Sequence, residues 1–332
     1  MYKEFYNLQR NPFEITPDPS FLFLTRRHRE ALSTLYYGVQ RRKGFVVLTG
    51  EVGTGKTVLV GYLLRLFKQN GVACAYVFNS RLSALGFLQY VALDLGLNVA
   101  GRNKAMLLHE LNRYLIARYQ KKLTTVIVVD EAHSLATDVL EEVRLLTNLE
   151  TAEQKLLQVL LVGQPELAQR LDSFELRQLK QRVALRTYLE PLDLEETRGY
   201  IRRRLHVAGG QPDSNLIPEA TIAAVYRFSG GIPRLINTIC ENALVTTFAR
   251  QLSCVPAEII AETARDLCLE VASESRIKLG DGRNPVLNQA MATMKSFHER
   301  LQETSDGREQ ALPGDSGLRW PVSPSLKPFT DS

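Results

Sequence analysis

Apolar positions along the chain form two kinds of run: short unbroken blocks and longer stretches with helical spacing. Phe45-Val46-Val47-Leu48, Thr125–Val129 and Leu156–Val162 are continuous blocks of strand length, and Ala73–Phe78 and Val183–Leu189 are further β-rich stretches. Between them, Leu59, Leu63, Leu64 and Phe67 recur at helical spacing. Leu82–Leu95, the amphipathic Lys104–Gln120 and Leu140–Leu149 read as further helices, and His28–Arg42 as one preceding the first strand. Strands that are apolar without alternation, separated by helices, predict a parallel sheet covered on both faces.

The pattern changes near Glu190-Pro191-Leu192. From Glu195 to about Leu269 the periodicity is purely helical, broken by Gly-Gly at 209–210 and 230–231. Large apolar residues thin out beyond about Ser273, and glycine, proline, serine and charge dominate after Glu303. One helix is expected there, over Asn288–Gln302, and otherwise disorder. The expected division is a lead-in at 1–43 against the nucleotide site, an α/β core at 44–190, an all-α lid at 191–271 and a largely disordered polar tail at 272–332. No internal repeat is present.

Composition narrows this only a little. A chain of 332 residues can hold two domains, or one with a lid. Its 45% hydrophobic and 23% charged content places it with soluble globular proteins. No apolar run is long enough to cross a bilayer, and the opening Met-Tyr-Lys-Glu-Phe-Tyr-Asn-Leu lacks the apolar centre of a signal peptide. The four cysteines lie far apart with no Cys-x-x-Cys pair, against a metal centre or disulfide framework and in keeping with a reducing cytosol. The expected location is cytoplasmic. The net charge of +5 permits a nucleic-acid or anionic-membrane partner without arguing for one.

The chemistry begins where the first strand runs into Gly50-Glu51-Val52-Gly53-Thr54-Gly55-Lys56-Thr57-Val58. This is a phosphate-binding loop in its required context, a strand before and a helix after. Glycines let successive amide N–H groups turn inward around an anion. Lys56 would reach the β- and γ-phosphates and the Thr57 hydroxyl would sit on Mg2+. The following helix adds its positive dipole end beneath the phosphates. The block Val126–Val129 delivers Asp130 and Glu131 to the carboxyl edge of the sheet, where ligands collect. Asp130 would hold Mg2+ through a water, and Glu131 would orient or deprotonate the attacking water. The plain alternative is that both carboxylates cap the next helix. A second carboxylate suits hydrolysis rather than binding alone.

Two further positions refine the site. Gln164 ends the block Leu160–Gly163 and could bond the γ-phosphate or the catalytic water, or simply open a loop before Pro165. In Gly230-Gly231-Ile232-Pro233-Arg234, Pro233 suits the first turn of a helix. Arg234 at that positive end is explained by an anion in front of it, the γ-phosphate, or is a surface arginine.

Taken together, Gly50–Thr57, Val126–Glu131, Gln164 and Gly230–Arg234 with a helical lid resemble the AAA+ ATPase superfamily. Tyr6…Asn11-Pro12-Phe13…Thr16-Pro17-Asp18-Pro19…Phe23…His28…Ala31-Leu32, Gly163-Gln164-Pro165-Glu166-Leu167 and Gln181-Arg182 narrow the resemblance. They are similar to the ExeA/GspA (general secretion pathway protein A) group of secretion-associated ATPases, over about residues 1–270. The resemblance implies a P-loop NTPase sheet with flanking helices and a small all-α lid, using ATP and Mg2+. It implies Lys56 and Thr57 as Walker A, Asp130 and Glu131 as Walker B, Gln164 as sensor 1 and Arg234 as sensor 2. It also implies a homo-oligomer in which an arginine from one subunit reaches its neighbour's γ-phosphate. Arg182 is at the family's position and Arg177 is the runner-up; either could be a helix-surface residue. The lead-in around Asn11–Phe13 and His28 would pack on the adenine, or serve only as an apolar anchor.

Members of that group typically continue into a transmembrane helix and a peptidoglycan-binding domain, neither of which is read in this sequence. The expectation is therefore a cytoplasmic ATPase recruited to the inner face of the membrane by a secretion, pilus or polysaccharide-export partner. A DNA-associated regulator resembling transposition ATPases is the alternative. It is motivated by the basic clusters Arg26-Arg27-Arg29, Arg41-Arg42-Lys43 and Arg202-Arg203-Arg204.

Overall fold

A computed structural model describes residues 2–14, 19–78, 81–211 and 215–271. Thr16-Pro17-Asp18, the expected helix at 288–302 and the remaining tail lie outside the described residues. The chain opens with α1 (Tyr2–Phe5) and α2 (Arg26–Gln40), then β1 (Phe45–Gly50), α3 (Lys56–Gln69) and β2 (Ala73–Val77). It continues with α4 (Ala84–Asp94), α5 (Lys104–Gln120), β3 (Thr125–Val129), α6 (Thr137–Leu146) and β4 (Leu157–Gly163). Next come α7 (Pro165–Asp172), α8 (Arg177–Lys180) and β5 (Val183–Leu189). The last elements are α9 (Leu194–Val207), α10 (Glu219–Ser229), α11 (Pro233–Ala249) and α12 (Ala257–Asp266). The short helices α7 and α8 were not legible from spacing, because α7 buries only Leu167 and Leu171, a single i,i+4 pair.

All strand pairings are parallel, in the order β2-β3-β4-β1-β5. The three central strands are buried along their whole length. On one face Phe45, Val47, Ile127, Val129, Val159 and Leu161 join apolar residues of α4 to α8 in a single core. Their alternates Val46, Leu48, Val126, Val128, Leu160 and Val162 are equally buried. The helix α2 covers Val46 closely: a Cβ at Gly38 would fall 2.5 Å from its Cγ2. Burial on both faces is why these strands read as unbroken apolar blocks. Gln158 within β4 is tolerated because its side chain is bonded at both ends, accepting from Gly44 N–H at 2.8 Å and donating to Lys155 O at 3.2 Å.

A second core gathers α9 to α12. The N-terminal segment enters it, with Tyr2, Leu8, Phe13 and Phe21 packed against Ile201, Ile236 and Ile239. Asp193 and Glu196 start α9 with a reciprocal capping box. Between α10 and α11, Gly231 lies at φ +74° with its carbonyl accepting Leu192 N–H at 2.9 Å. A Cβ there would sit 1.8 Å from Leu192 O. Gly231→Ala is expected to lower unfolding free energy by about 2–4 kcal/mol, from left-handed strain plus the backbone clash. Urea unfolding of the two proteins checks this, and equal midpoints would refute it.

Candidate active site

A cavity of about 390 Å3 is lined by residues following β1, β3 and β4, by the N-terminal segment, and by α9 and α11. Gly53, Gly55, Lys56, Thr57, Glu131, Gln164 and Arg234 all face it. Its size is that of a small-molecule site.

The loop after β1 passes through Gly53 at φ +81° and ends at Gly55, φ +95°, the N-cap of α3. No side chain caps the first turn of α3, nor that of α7 behind Gln164 or of α11 behind Ile232. Three helix N-termini without side-chain caps therefore converge on one cavity, an arrangement that favours an anion. Lys56 is nearly buried, and its Nζ donates to Gly50 O at 2.7 Å and Glu51 O at 2.8 Å. Burial pulls its pKa below the usual lysine range, against the opposing pull of Glu131 and Asp130. The loop is braced from the second core. Arg234 N–H donates to Gly53 O at 3.2 Å, and a Cβ on Gly53 would approach Arg234 Cβ to 2.7 Å.

At the end of β3, Asp130 accepts three hydrogen bonds. The Thr57 hydroxyl at 3.2 Å and the Tyr76 phenol at 2.9 Å donate to Oδ2, and Glu131 N–H at 2.9 Å donates to Oδ1. Burial, then the charge of Asp130, push the Tyr76 pKa far above the ordinary tyrosine range, so the phenol keeps its hydrogen. The paired hydroxyl and carboxylate oxygens of Thr57 and Asp130 suit Mg2+, which takes one or two protein oxygens and otherwise water and phosphate. Among the described residues no cluster of three or more His, Cys, Asp or Glu could hold a metal alone.

Glu131 lies at φ +51° and opens a short 3-10 turn, Ala132–Ser134. Its Oε2 accepts from Gln164 Nε2 at 3.4 Å and lies 3.5 Å from His133 Nε2. Gln164 N–H in turn donates to His133 Nδ1 at 3.4 Å, and Arg170 of α7 donates to the carbonyls of His133 and Leu135. Gln164 is thus the N-cap of α7 and also faces the cavity, so neither of its sequence readings excludes the other. Arg182 and Arg177 are not on the cavity. Arg182 donates to Thr147 Oγ1 at 2.9 Å, and Arg177 stacks 3.9 Å above the Phe174 ring.

In the lead-in, Phe13 lies in the second core rather than on the cavity, whereas His28 lines the cavity. The His28 Nδ1 meets Thr25 Oγ1 at 2.7 Å, and burial lowers its pKa from the ordinary imidazole value. Several lining residues escaped the sequence reading, among them Tyr200, Arg204 and Asn237. Tyr200 donates to Asn237 Oδ1 at 3.0 Å and accepts from Arg204 Nη1 at 2.9 Å. Arg204 also donates to Pro12 O and to Glu14 O, tying the lead-in to α9. The signal for them was the i,i+4 spacing of Tyr200 with Arg204 and of Pro233 with Asn237, which was indistinguishable from ordinary core spacing.

The basic clusters do not stand as uniform solvated faces. Arg26 pairs with Glu30, Arg27 with Glu190 and Arg202 with Glu219, while Arg204 is buried. In the first and third clusters, therefore, only part of the charge is left unpaired at the surface.

Residues 39–171 match the AAA domain family. The chain is similar to general secretion pathway protein A of Aeromonas hydrophila, at 45% identity over 252 residues. That match covers 75% of this chain but 45% of the relative, so the chain spans less than half of that protein's length. Among solved structures, the Aeropyrum pernix ORC2 protein in its ADPNP–ADP complexes matches with TM-score 0.58 at 16% identity, over 82% of this chain and 75% of that one. The Drosophila ORC bound to DNA matches with TM-score 0.59 at 17% identity, over 89% and 81%. The Thermotoga maritima RuvB Holliday junction branch migration motor matches with TM-score 0.51 at 16% identity, over 86% and 83%. At these identities the structural matches speak to fold alone, and the fold is that of the AAA+ P-loop ATPases, as expected from the sequence.

Arg204→Ala is expected to destabilise the chain by about 2–4 kcal/mol, because it leaves the buried Pro12 carbonyl without its donor and removes the lead-in's tie to α9. Arg203→Ala, on the exposed side of the same helix, should stay within about 0.5 kcal/mol. Thermal unfolding of the two variants side by side checks the contrast; equal losses would mean that Arg204 is not the tie described.

Proposed function

We propose that this protein, an AAA+ chain by its fold and by the domain at residues 39–171, binds ATP with Mg2+ along Gly50–Val58 and hydrolyses it. The observation that carries this reading is the convergence of Lys56, Glu131, Gln164 and Arg234 on one cavity beside the Thr57–Asp130 pair. Lys56 and the loop amides hold the β- and γ-phosphates, and Arg234 and Gln164 contact the γ-phosphate end. Bound Mg2+, held by Thr57 and through water by Asp130, supplies neutralisation of phosphate charge. Glu131 orients the attacking water and accepts its proton. The apolar and polar lining from Leu22, Phe23, Tyr200 and Asn237 receives the base.

In this reading residues 44–190 work as the nucleotide-binding core, 191–271 as the lid, and 1–43 as the segment joining both. The protein acts as a homo-oligomer. Arg182 or Arg177, which do not reach the cavity of their own chain, complete a neighbour's site. The similarity to general secretion pathway protein A supports a role in secretion. The wider reading from the sequence is part of the proposal: a secretion, pilus or polysaccharide-export partner recruits a cytoplasmic chain to the inner face of the membrane. No helix among the described residues is long and apolar enough to cross a membrane. Pairing of Arg26, Arg27 and Arg202 with carboxylates weighs against the DNA-associated reading.

Lys56→Ala should weaken ATP binding by about 10-fold or more, the loss of charge-assisted phosphate bonds. Glu131→Gln should retain binding and lower turnover by about 100-fold or more. Phosphate release, measured at protein concentrations that allow oligomers, decides the matter: wild type no faster than Glu131→Gln rules hydrolysis out.

A further inference from the structure

The Tyr76 side chain comes from β2, the edge strand of the sheet, and reaches across β3 to Asp130. It arrives there already fixed. Its N–H, on the open edge of the sheet, donates to the Asp94 carboxylate of α4 at 2.6 Å. Its ring packs 6.2 Å from Phe78, whose own ring meets Tyr90 edge-on at 6.0 Å. A phenylalanine would fill the same space, so the contribution peculiar to tyrosine is the hydroxyl, whose hydrogen goes to Asp130 Oδ2. That oxygen also accepts from Thr57. A buried carboxylate needs donors to hold its charge and orientation, and the groups that orient a metal-binding carboxylate tune its affinity for the ion.

We propose that Tyr76 is a positioning residue for the divalent-cation site: its phenol fixes the Asp130 carboxylate beside the Thr57 hydroxyl, and so sets how tightly Mg2+ joins the bound nucleotide. The proposal rests on the reading of Thr57 and Asp130 as the residues that hold Mg2+. Tyr76 touches neither nucleotide nor reacting water; it acts through Asp130.

The test is binding of the non-hydrolysable adenylyl imidodiphosphate to the full chain by calorimetry, with Mg2+ titrated from EDTA upward. Tyr76→Phe should raise the Mg2+ concentration for half-maximal tightening by about 10-fold or more, the usual effect of losing such a supporting partner. Affinity for the nucleotide in EDTA should match wild type, while the melting temperature in EDTA falls by a few degrees with the loss of one donor to a buried carboxylate. Coincident Mg2+ midpoints would overturn the proposal while leaving the cation site intact. A variant weakened as much in EDTA as in Mg2+ would also overturn it, showing a purely structural role. A wild type whose nucleotide affinity ignores Mg2+ would overturn the cation-site reading itself, and this proposal with it.

Discussion

Burial of β1, β3 and β4 on both faces governs where this chain can put its chemistry. Inside those strands a side chain as polar as Gln158 is held by bonds to both its oxygen and its nitrogen. Polar groups are therefore displaced to the strand ends, and parallel pairing brings all the carboxyl ends to one edge. Strand order does the rest. With β4 between β3 and β1, Gln164 lies between Glu131 on one side and the Lys56 loop on the other. Residues distant in sequence become neighbours because the strands before them share a ladder: Leu48 pairs with Val162, and Val129 with Leu161.

The second core supplies what the sheet edge lacks. The helices α3 and α7 begin at the cavity because short connections follow their strands, but α11 is brought there by the turn at Gly230-Gly231. The contact of Arg234 N–H with Gly53 O makes the phosphate loop part of both cores at once. Arg204 makes a second junction, joining the lead-in carbonyls to α9 beside the same cavity. A ligand filling that cavity would touch segments from both cores.

The order and type of the strands were legible because double burial leaves no room for alternation, and unbroken apolar blocks are unmistakable at strand length. The phosphate loop was legible because its glycines and Lys56-Thr57 have no common structural use at that spacing. Gln164 and Arg234 were visible only as polar residues at places where the chain turns, and the structure brings both to the cavity without deciding what they do there. Tyr200, Asn237 and Tyr76 were not visible at all, and Arg204 was visible only as part of a basic cluster. Each lies in an element whose spacing is explained by packing alone, and its polar atom acquires meaning only from a partner far away in sequence. Arg204 was counted with a basic cluster for that reason: three successive arginines on a helix point in different directions, and one of them points inward.

The two adjacent carboxylates at the end of β3 are treated in opposite ways, and the difference bears on what each can do. Asp130 is 5% exposed and accepts from Thr57, Tyr76 and the next backbone amide. The left-handed backbone at Glu131 then turns the chain, leaving that side chain 45% exposed with only two long contacts, to Gln164 and His133. A carboxylate that orients a cation gains from being immobile, since any freedom must be lost again when the ion binds. A carboxylate that must meet a water in the transition state gains from contacts weak enough to exchange. The neutral Gln164 amide holds Glu131 near the cavity without neutralising it as a buried lysine or arginine would. The strained turn at Glu131 is kept in place by Arg170, which bonds the carbonyls behind it. The buried carboxylate and the half-exposed one are therefore separated by a single peptide bond, and it is the backbone conformation at that point that sends them into different surroundings.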